Sequence, residues 1–168
     1  MVTVQLARAE PRSMESREDQ EIMTVDIFLE STLESADWAE KLVLEAAEKL
    51  GFEEDELHRI GMAVRETVVN AVVHGNRYSA HKRVRFRIFK APDHLAVTVQ
   101  DEGNGFDLSA LPDPLAQENL LQQSGRGLLL VRAFVDKLEI CRTAAGGTQV
   151  RLIKYLPHRP PEKASNSV

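Results

Sequence analysis

Three polar side chains that could do chemistry recur at helical spacing in the first half of the chain. Glu66, Asn70 and His74 are spaced i, i+4, i+8, so on one helix they form a column that drifts by only about 40° per step. The same side of the helix also carries apolar residues, namely Met62, Val69 and Val73. A polar column framed by apolar side chains favours the wall of a buried pocket. The alternative is that Glu66 and Asn70 are surface residues and that His74 helps to end the helix.

A second candidate site is the Asp-Glu-Gly-Asn-Gly run at 101–105, which follows a predicted strand. Asp101 continues the alternating apolar face of that strand, so its carboxylate points toward the layer of helices. A carboxylate placed there needs a hydrogen-bond donor, and the exocyclic amino group of a purine would serve. Gly103 and Gly105 would let a ligand approach the backbone closely. The alternative is an ordinary Asp-Gly turn.

A third candidate site is the run Ser124-Gly125-Arg126-Gly127, which opens a predicted helix. Backbone N–H groups at a helix start bind anions, and Arg126 adds positive charge. The alternative is a flexible hinge with an exposed arginine. A Rossmann loop is excluded, because Leu130 stands where the third glycine should be and no strand precedes the run.

The elements that must position these residues follow from hydrophobic periodicity and turn signals. In chain order they are a strand at 24–30, helices at 31–50 and 53–74, strands at 84–89 and 95–101, a helix at 127–134, and strands at 137–142 and 148–155. Short turns between neighbouring strands predict a mostly antiparallel mixed sheet covered on one face by helices, an α/β two-layer sandwich. The segment 103–124 has little periodicity and the length of a lid.

Composition limits the classes of protein to consider. At 168 residues the chain predicts one domain at 23–156, with flexible tails at 1–22 and 157–168. A net charge of −5 argues against nucleic-acid binding as the main task, since that needs a clustered basic surface. The single cysteine, Cys141, excludes an intramolecular disulfide framework. No run is apolar enough for a signal peptide or a membrane span, so we expect a cytoplasmic protein.

The three motifs, taken in this order, resemble those of the GHKL or Bergerat ATP-binding fold of gyrase and histidine kinases. Within that group the chain most resembles the small stand-alone anti-sigma-factor serine kinases of the RsbW/SpoIIAB type. The run Ala-Val-Arg-Glu-Thr-Val-Val-Asn-Ala-Val-Val-His-Gly at 63–75 and the Gly-Gly-Thr turn at 146–148 carry that likeness. The resemblance covers about residues 24–156.

The resemblance implies ATP and Mg²⁺ as cofactors. It makes Glu66 the general base, Asn70 the side-chain ligand of Mg²⁺, and Asp101 the acceptor for the adenine amino group, with Thr148 sharing that contact through water. The phosphates would lie under a lid at 107–123. The implied nucleotide-binding set is Asn70, His74, Asp101, Gly103, Gly105, Ser124, Gly125, Arg126, Gly127 and Thr148.

The implied partners are a sigma factor and a STAS-domain antagonist of the anti-sigma factor, with a homodimer as the implied oligomer and with neither nucleic acid nor a membrane as a direct partner. One position departs from the pattern. Some members carry an arginine immediately before the Ser-Gly of the third motif, and here that position is Gln123. Two alternatives therefore stay open: a non-catalytic nucleotide-dependent binding module, and a catalytic domain like that of a sensor histidine kinase.

Overall fold

The structure is a computed structural model that describes residues 3–5, 20–105 and 123–157. Its elements are β1 (Thr3–Gln5), β2 (Ile22–Glu30), α1 (Glu34–Leu50), α2 (Glu54–Asn70), a π-helical turn (Ala71–Gly75), β3 (Arg83–Lys90), β4 (His94–Gln100), α3 (Gln123–Phe134), β5 (Lys137–Arg142) and β6 (Thr148–Tyr155). None of the described helices combines the length and the apolar character that crossing a membrane requires.

The strands form one sheet in the order β1-β5-β6-β4-β3-β2. The β1–β5 pair is parallel and every other pair is antiparallel. Helices α1 and α2 pack on the central strands, and α3 packs on α2. The predicted two-layer α/β sandwich with a mostly antiparallel mixed sheet is thereby confirmed.

The core lies between the helices and one face of the sheet. On β3 the alternation of Val84, Phe86 and Ile88 puts all three side chains in the interior, as the sequence predicts. Val64 and Val68 of α2 belong to the same apolar cluster. Burying each such side chain contributes about 1.5–3 kcal/mol. This packing holds α2, with its polar column, in a fixed position over the end of β4.

The N-terminal region differs from the prediction in three respects. The predicted strand at 24–30 starts earlier, at Ile22, and Thr3–Gln5, placed in the predicted tail, pairs with β5. The helix predicted at 31–50, for which the spacing of Ser31 and Glu34 is that of a capping box, begins only at Glu34, and the Ser31 hydroxyl donates to Lys82 O at 2.7 Å instead of capping it. The remaining tail residues at 1–2, 6–19 and 158–168 lie outside the described part of the chain.

The predicted helix at 53–74 is α2 followed by the π-helical turn. In this turn the N–H of Asn76 donates to Ala71 O at 2.8 Å, five residues back. The wider turn ends the α-helix, and within it His74 is exposed, whereas Glu66 and Asn70 on α2 are half-buried. The sequence analysis did not predict this turn.

Helix α3 begins at Gln123, four residues before the predicted start at 127. Two glycines lower helix propensity, which is why the sequence places the start too late. Of the lid predicted at 107–123, residues 107–122 lie outside the described part of the chain.

An ion-pair network joins the start of β2 to the sheet face opposite the helices. Arg151 Nη2 donates to Glu21 Oε1 at 2.7 Å and to Oε2 at 2.6 Å, and His94 Nε2 lies 2.7 Å from Oε1. Burial raises the pKa of Glu21, but the hydrogen bonds and charges of His94 and Arg151 outweigh that effect and lower the pKa below its usual value. Glu21 is therefore an ionised anchor between β2 and the centre of the sheet.

We expect Glu21→Gln to lower the free energy of unfolding by about 1–3 kcal/mol at pH 7, because one partner of a hydrogen-bonded charge pair is lost. A depressed folded-state pKa stabilises the protein above the unfolded pKa, about 4.3, and this contribution is lost as pH falls through the folded pKa. The difference between wild type and variant should shrink over that range. Urea unfolding at pH 7 and at decreasing pH below 4 measures it.

Glu30→Gln is the matched control, since Glu30 pairs with Arg83 at 3.2 Å on the surface. Its effect should stay below about 1 kcal/mol at every pH. An equal effect of the two substitutions, or a Glu21 effect independent of pH, would contradict the anchor.

Candidate functional site

Asp101 lies directly after β4 and is the best-defined candidate residue. It is 7% exposed, and its Oδ1 accepts hydrogen bonds from the N–H of Gly103 at 2.9 Å and of Thr148 at 3.1 Å. Its own N–H donates to Thr148 O at 2.9 Å. The carboxylate reaches the end of α2, as the alternation along β4 predicts, and its orientation is fixed by backbone groups.

Three glycines surround the Asp101 residue closely. A Cβ atom built on Gly75 would overlap the Asp101 carboxylate, and one on Gly103 would overlap the backbone of Gly75. A Cβ on Gly147 would overlap Asp101 O. The end of the π-helical turn, the loop after β4 and the β5–β6 hairpin therefore meet at Asp101 with no room for side chains between them.

This arrangement fits a purine amino group. Among the described residues, both hydrogen bonds to the carboxylate go to Oδ1, which leaves Oδ2 as the oxygen beside Gly75. A carboxylate oxygen accepts from an amino group and repels a carbonyl oxygen, so it favours adenine over guanine at this position.

The loop after β4 is held on its other side by the β5–β6 hairpin. Gly105 adopts a φ of 80° and packs against Gly146 O, which a Cβ would approach to 2.7 Å. Arg142 Nη2 donates to Asn104 O at 3.1 Å. Thr148 contacts Asp101 through its backbone N–H and carbonyl groups, and its predicted water-mediated contact with adenine stays a prediction.

A second group of candidate residues lies where α2 faces α3. A Cβ on Gly127 would overlap Oε1 of Glu66 and would lie 2.7 Å from its Cδ atom. The Glu66 carboxylate thus lies against the backbone of α3, and both it and Asn70, one turn further along α2, are half-buried. A carboxylate and an amide oxygen one turn apart are suitable oxygen donors for a hard cation such as Mg²⁺. No group of three or more His, Cys, Asp or Glu side chains in the described part of the chain could hold a metal ion.

Ser124, Gly125, Arg126 and Gly127 lie inside α3 rather than before it. The first four N–H groups of the helix, from Gln123 to Arg126, have no partner within it and form its positive end. The anion site predicted from the sequence therefore falls on the first turn of α3, beside Glu66.

The two groups of residues lie at opposite ends of one helical segment. From Glu66 to Gly75 there are nine residue steps, which at an α-helical rise of about 1.5 Å would span roughly 13 Å, and the π-helical turn at Ala71–Gly75 shortens this span. Asp101 is at one end of this span, and Glu66 with the start of α3 is at the other. His74 lies between them along the chain and is exposed.

The sequence analysis missed three residues of the site. Gly75 and Gly147 belong to the quoted runs at 63–75 and 146–148, but their close approach to Asp101 is not visible from spacing. Oδ1 of Asn76 accepts a hydrogen bond from the N–H of Glu102 at 2.8 Å. The only signal for Asn76 in the sequence is its position directly after a glycine.

Comparison with known proteins identifies the family of this chain. A family model described as histidine kinase-like ATPase domain matches residues 29–154. The anti-sigma F factor of Oceanobacillus iheyensis is 32% identical over 104 residues, which cover 61% of this chain and 71% of that protein. The anti-sigma F factor of Bacillus thuringiensis (strain Al Hakam) is 33% identical over 104 residues, with the same coverage.

A solved structure shows the same fold. The crystal structure of the RsbU and RsbW domains of a Mycobacterium tuberculosis protein matches with a TM-score of 0.56 and 22% identity, over 80% of this chain and 33% of that longer chain. Together with the site geometry, these matches show that the chain belongs to the histidine kinase-like ATPase family, in the group that contains the anti-sigma F factors.

Proposed function

We propose that this chain is an ATP-dependent anti-sigma factor and protein serine kinase. It binds a sigma factor, and it phosphorylates a serine of a STAS-domain antagonist, so that the choice of partner follows the nucleotide state. The observation that carries the proposal is the buried Asp101 carboxylate, which backbone groups orient and which packs against Gly75, at the far end of the helical segment from Glu66. The anti-sigma F factors among its relatives support the sigma-factor half of the proposal.

ATP would lie along the span from Asp101 to the start of α3. Asp101 accepts the adenine amino group, and the backbone of Gly103 and Gly105 lines the base. The N–H groups at the start of α3 hold the phosphates. Asn70 would supply an amide oxygen to Mg²⁺, and the bound cation would neutralise phosphate charge.

In the proposed transfer step, Glu66 acts as the general base. The serine oxygen forms a bond to the γ-phosphorus, the bond from that phosphorus to the β–γ bridging oxygen breaks, and the hydroxyl proton goes to the Glu66 carboxylate. The contact with Gly127 positions this carboxylate against the helix whose N-terminal groups hold the phosphates. Through this contact the proposed general base, Glu66, lies next to the proposed anion site.

A second candidate function is a nucleotide-dependent binding module without kinase activity. Gln123, which stands where some kinases of this type have a phosphate-binding arginine, favours it. Glu66 and Asn70 favour the kinase, because a module that only binds needs no base. Incubation with ATP and a serine-bearing STAS-domain protein, followed by mass measurement of that protein, distinguishes the two functions.

The first prediction about the site concerns the choice between adenine and guanine as the bound nucleotide base. In Asp101→Asn the amide keeps an oxygen for the N–H groups of Gly103 and Thr148 but turns an NH₂ toward the ligand. ATP binding should weaken by about 10- to 150-fold, the equivalent of 1.5–3 kcal/mol. GTP binding should strengthen relative to ATP, since guanine has an acceptor where adenine has an amino group. Calorimetric titration of both nucleotides measures the ratio.

Glu102→Gln is the control for this prediction, because it changes the adjacent carboxylate, which is exposed. It should leave the ATP-to-GTP ratio unchanged. If the folded Asp101→Asn protein bound ATP as tightly as the wild type, Asp101 would not be the acceptor for the adenine amino group.

The second prediction about the site concerns Glu66 as the general base of phosphate transfer. Glu66→Gln keeps the size of the side chain but cannot take a proton, so phosphate transfer to the STAS-domain protein should fall by about 10²- to 10⁴-fold. ATP affinity should remain close to that of the wild type. Glu45→Gln, on the exposed face of α1, is the control and should be fully active. Equal transfer rates in the wild type and Glu66→Gln would remove Glu66 from the mechanism.

The third prediction uses the contact between α2 and α3. Gly127→Ala puts a methyl group where the Glu66 carboxylate lies, so Glu66 must move and transfer should fall toward the level of Glu66→Gln. Gly61→Ala is the matched control within a helix. Its Cβ would meet Leu44 Cδ2 at 3.2 Å and Glu40 Oε1 at 3.3 Å, far ends of side chains that can shift. Full activity of Gly127→Ala would show that the position of Glu66 does not matter.

A further inference from the structure

Asn76 is a buried amide whose hydrogen bonds join three separate segments. Its side chain Oδ1 accepts from the N–H of Glu102 at 2.8 Å. Its Nδ2 donates to Ser31 Oγ at 2.9 Å and to Arg83 O at 3.0 Å. The residue is 1% exposed, so if one of these hydrogen bonds were lost, water could not take its place. The donors and acceptors around it fix which way the amide faces.

The segments that Asn76 joins are those that bracket Asp101. Glu102 follows Asp101 directly, and Gly75, the residue before Asn76, packs against the Asp101 carboxylate. A shift of Asn76 would therefore move both sides of the carboxylate together. Ser31 Oγ and Arg83 O, at the ends of the loops beside β2 and β3, accept the two Nδ2 bonds on the side of Asn76 away from Glu102.

The loop after β4 depends on Asn76 for one of its three backbone anchors. The N–H of Asp101 donates to Thr148 O, and the N–H of Gly103 donates to the Asp101 carboxylate. The N–H of Glu102, which lies between them, donates to Asn76. With all three satisfied, the peptide planes on both sides of Asp101 are fixed.

We propose that Asn76 is a positioning residue for base recognition, which holds the Glu102 peptide and Gly75 so that Oδ2 of Asp101 faces the adenine amino group. This inference rests on the proposed function, because it assigns the base to Asp101. The required chemistry is that of a carboxamide, which offers one acceptor and two donors in a single short side chain. Neither alanine nor aspartate can replace all of it.

The test separates the acceptor of Asn76 from its donors. Asn76→Ala removes both, Asn76→Asp keeps an oxygen for the Glu102 N–H, and Ser31→Ala removes a partner only on the far side. The three variants and the wild type are titrated with ATP and with GTP. Hydrogen exchange of backbone amides at 101–103 is followed by mass spectrometry without nucleotide, and stability is measured by urea unfolding.

We expect exchange at 101–103 to accelerate by about 5- to 30-fold in Asn76→Ala, because the Glu102 N–H loses its partner. ATP affinity should fall by a similar factor, and the ATP-to-GTP ratio should fall with it. Ser31→Ala should lower stability but leave both the exchange and the affinity for ATP as in the wild type. Asn76→Asp should resemble Ser31→Ala in affinity, even though it is less stable.

Two results would overturn the inference. One is wild-type exchange at 101–103 in Asn76→Ala. The other is an ATP affinity that follows the loss of stability across all variants, including Ser31→Ala, which would reduce Asn76 to a purely structural residue. Failure of the wild type to bind ATP would instead refute the proposed function, and the exchange measurement would still decide whether Asn76 holds the loop.

Discussion

A carboxylate that is almost wholly buried must be hydrogen-bonded, and the position of Asp101 imposes this condition on the rest of the site. The donors come from the backbone of Gly103 and Thr148, so the loop after β4 and the β5–β6 hairpin must meet. Gly75 closes the third side, which requires the π-helical turn after α2 to end over the same point. The order of the sheet makes this possible, since β6 is the direct neighbour of β4.

The parts of the site that depend on local periodicity could be predicted from the sequence. Alternation along β4 carries one apolar face to Asp101, and a residue on that face has to point toward the helices. The spacing of Glu66 and Asn70 likewise places them one turn apart on any helix. Both arguments use only the repeat of one element, and the structure places these residues as the repeats predict.

The remaining features depend on contacts between distant segments, which a single sequence does not reveal. The π-helical turn is closed by the bond from the N–H of Asn76 to Ala71 O, and Asn76 also bonds to the loop after β4, contacts that no repeat in the sequence indicates. Positive φ follows the turn, at Arg77 and Tyr78. Gly127 reads as the start of a helix, yet its importance is its contact with Glu66.

The two ends of the candidate site differ in the groups that form them, backbone at one end and side chains at the other. This difference separates the proposed recognition of the nucleotide base from the proposed phosphate transfer. At Asp101 most of the wall is backbone, packed so closely that glycines are required, so the proposed base recognition would follow from the fold itself. At Glu66 and Asn70 the proposed working groups are half-buried side chains on a helix. Under the proposed function, phosphate transfer therefore depends on side chains that substitutions can change one at a time. The departure at Gln123 falls at this end of the site.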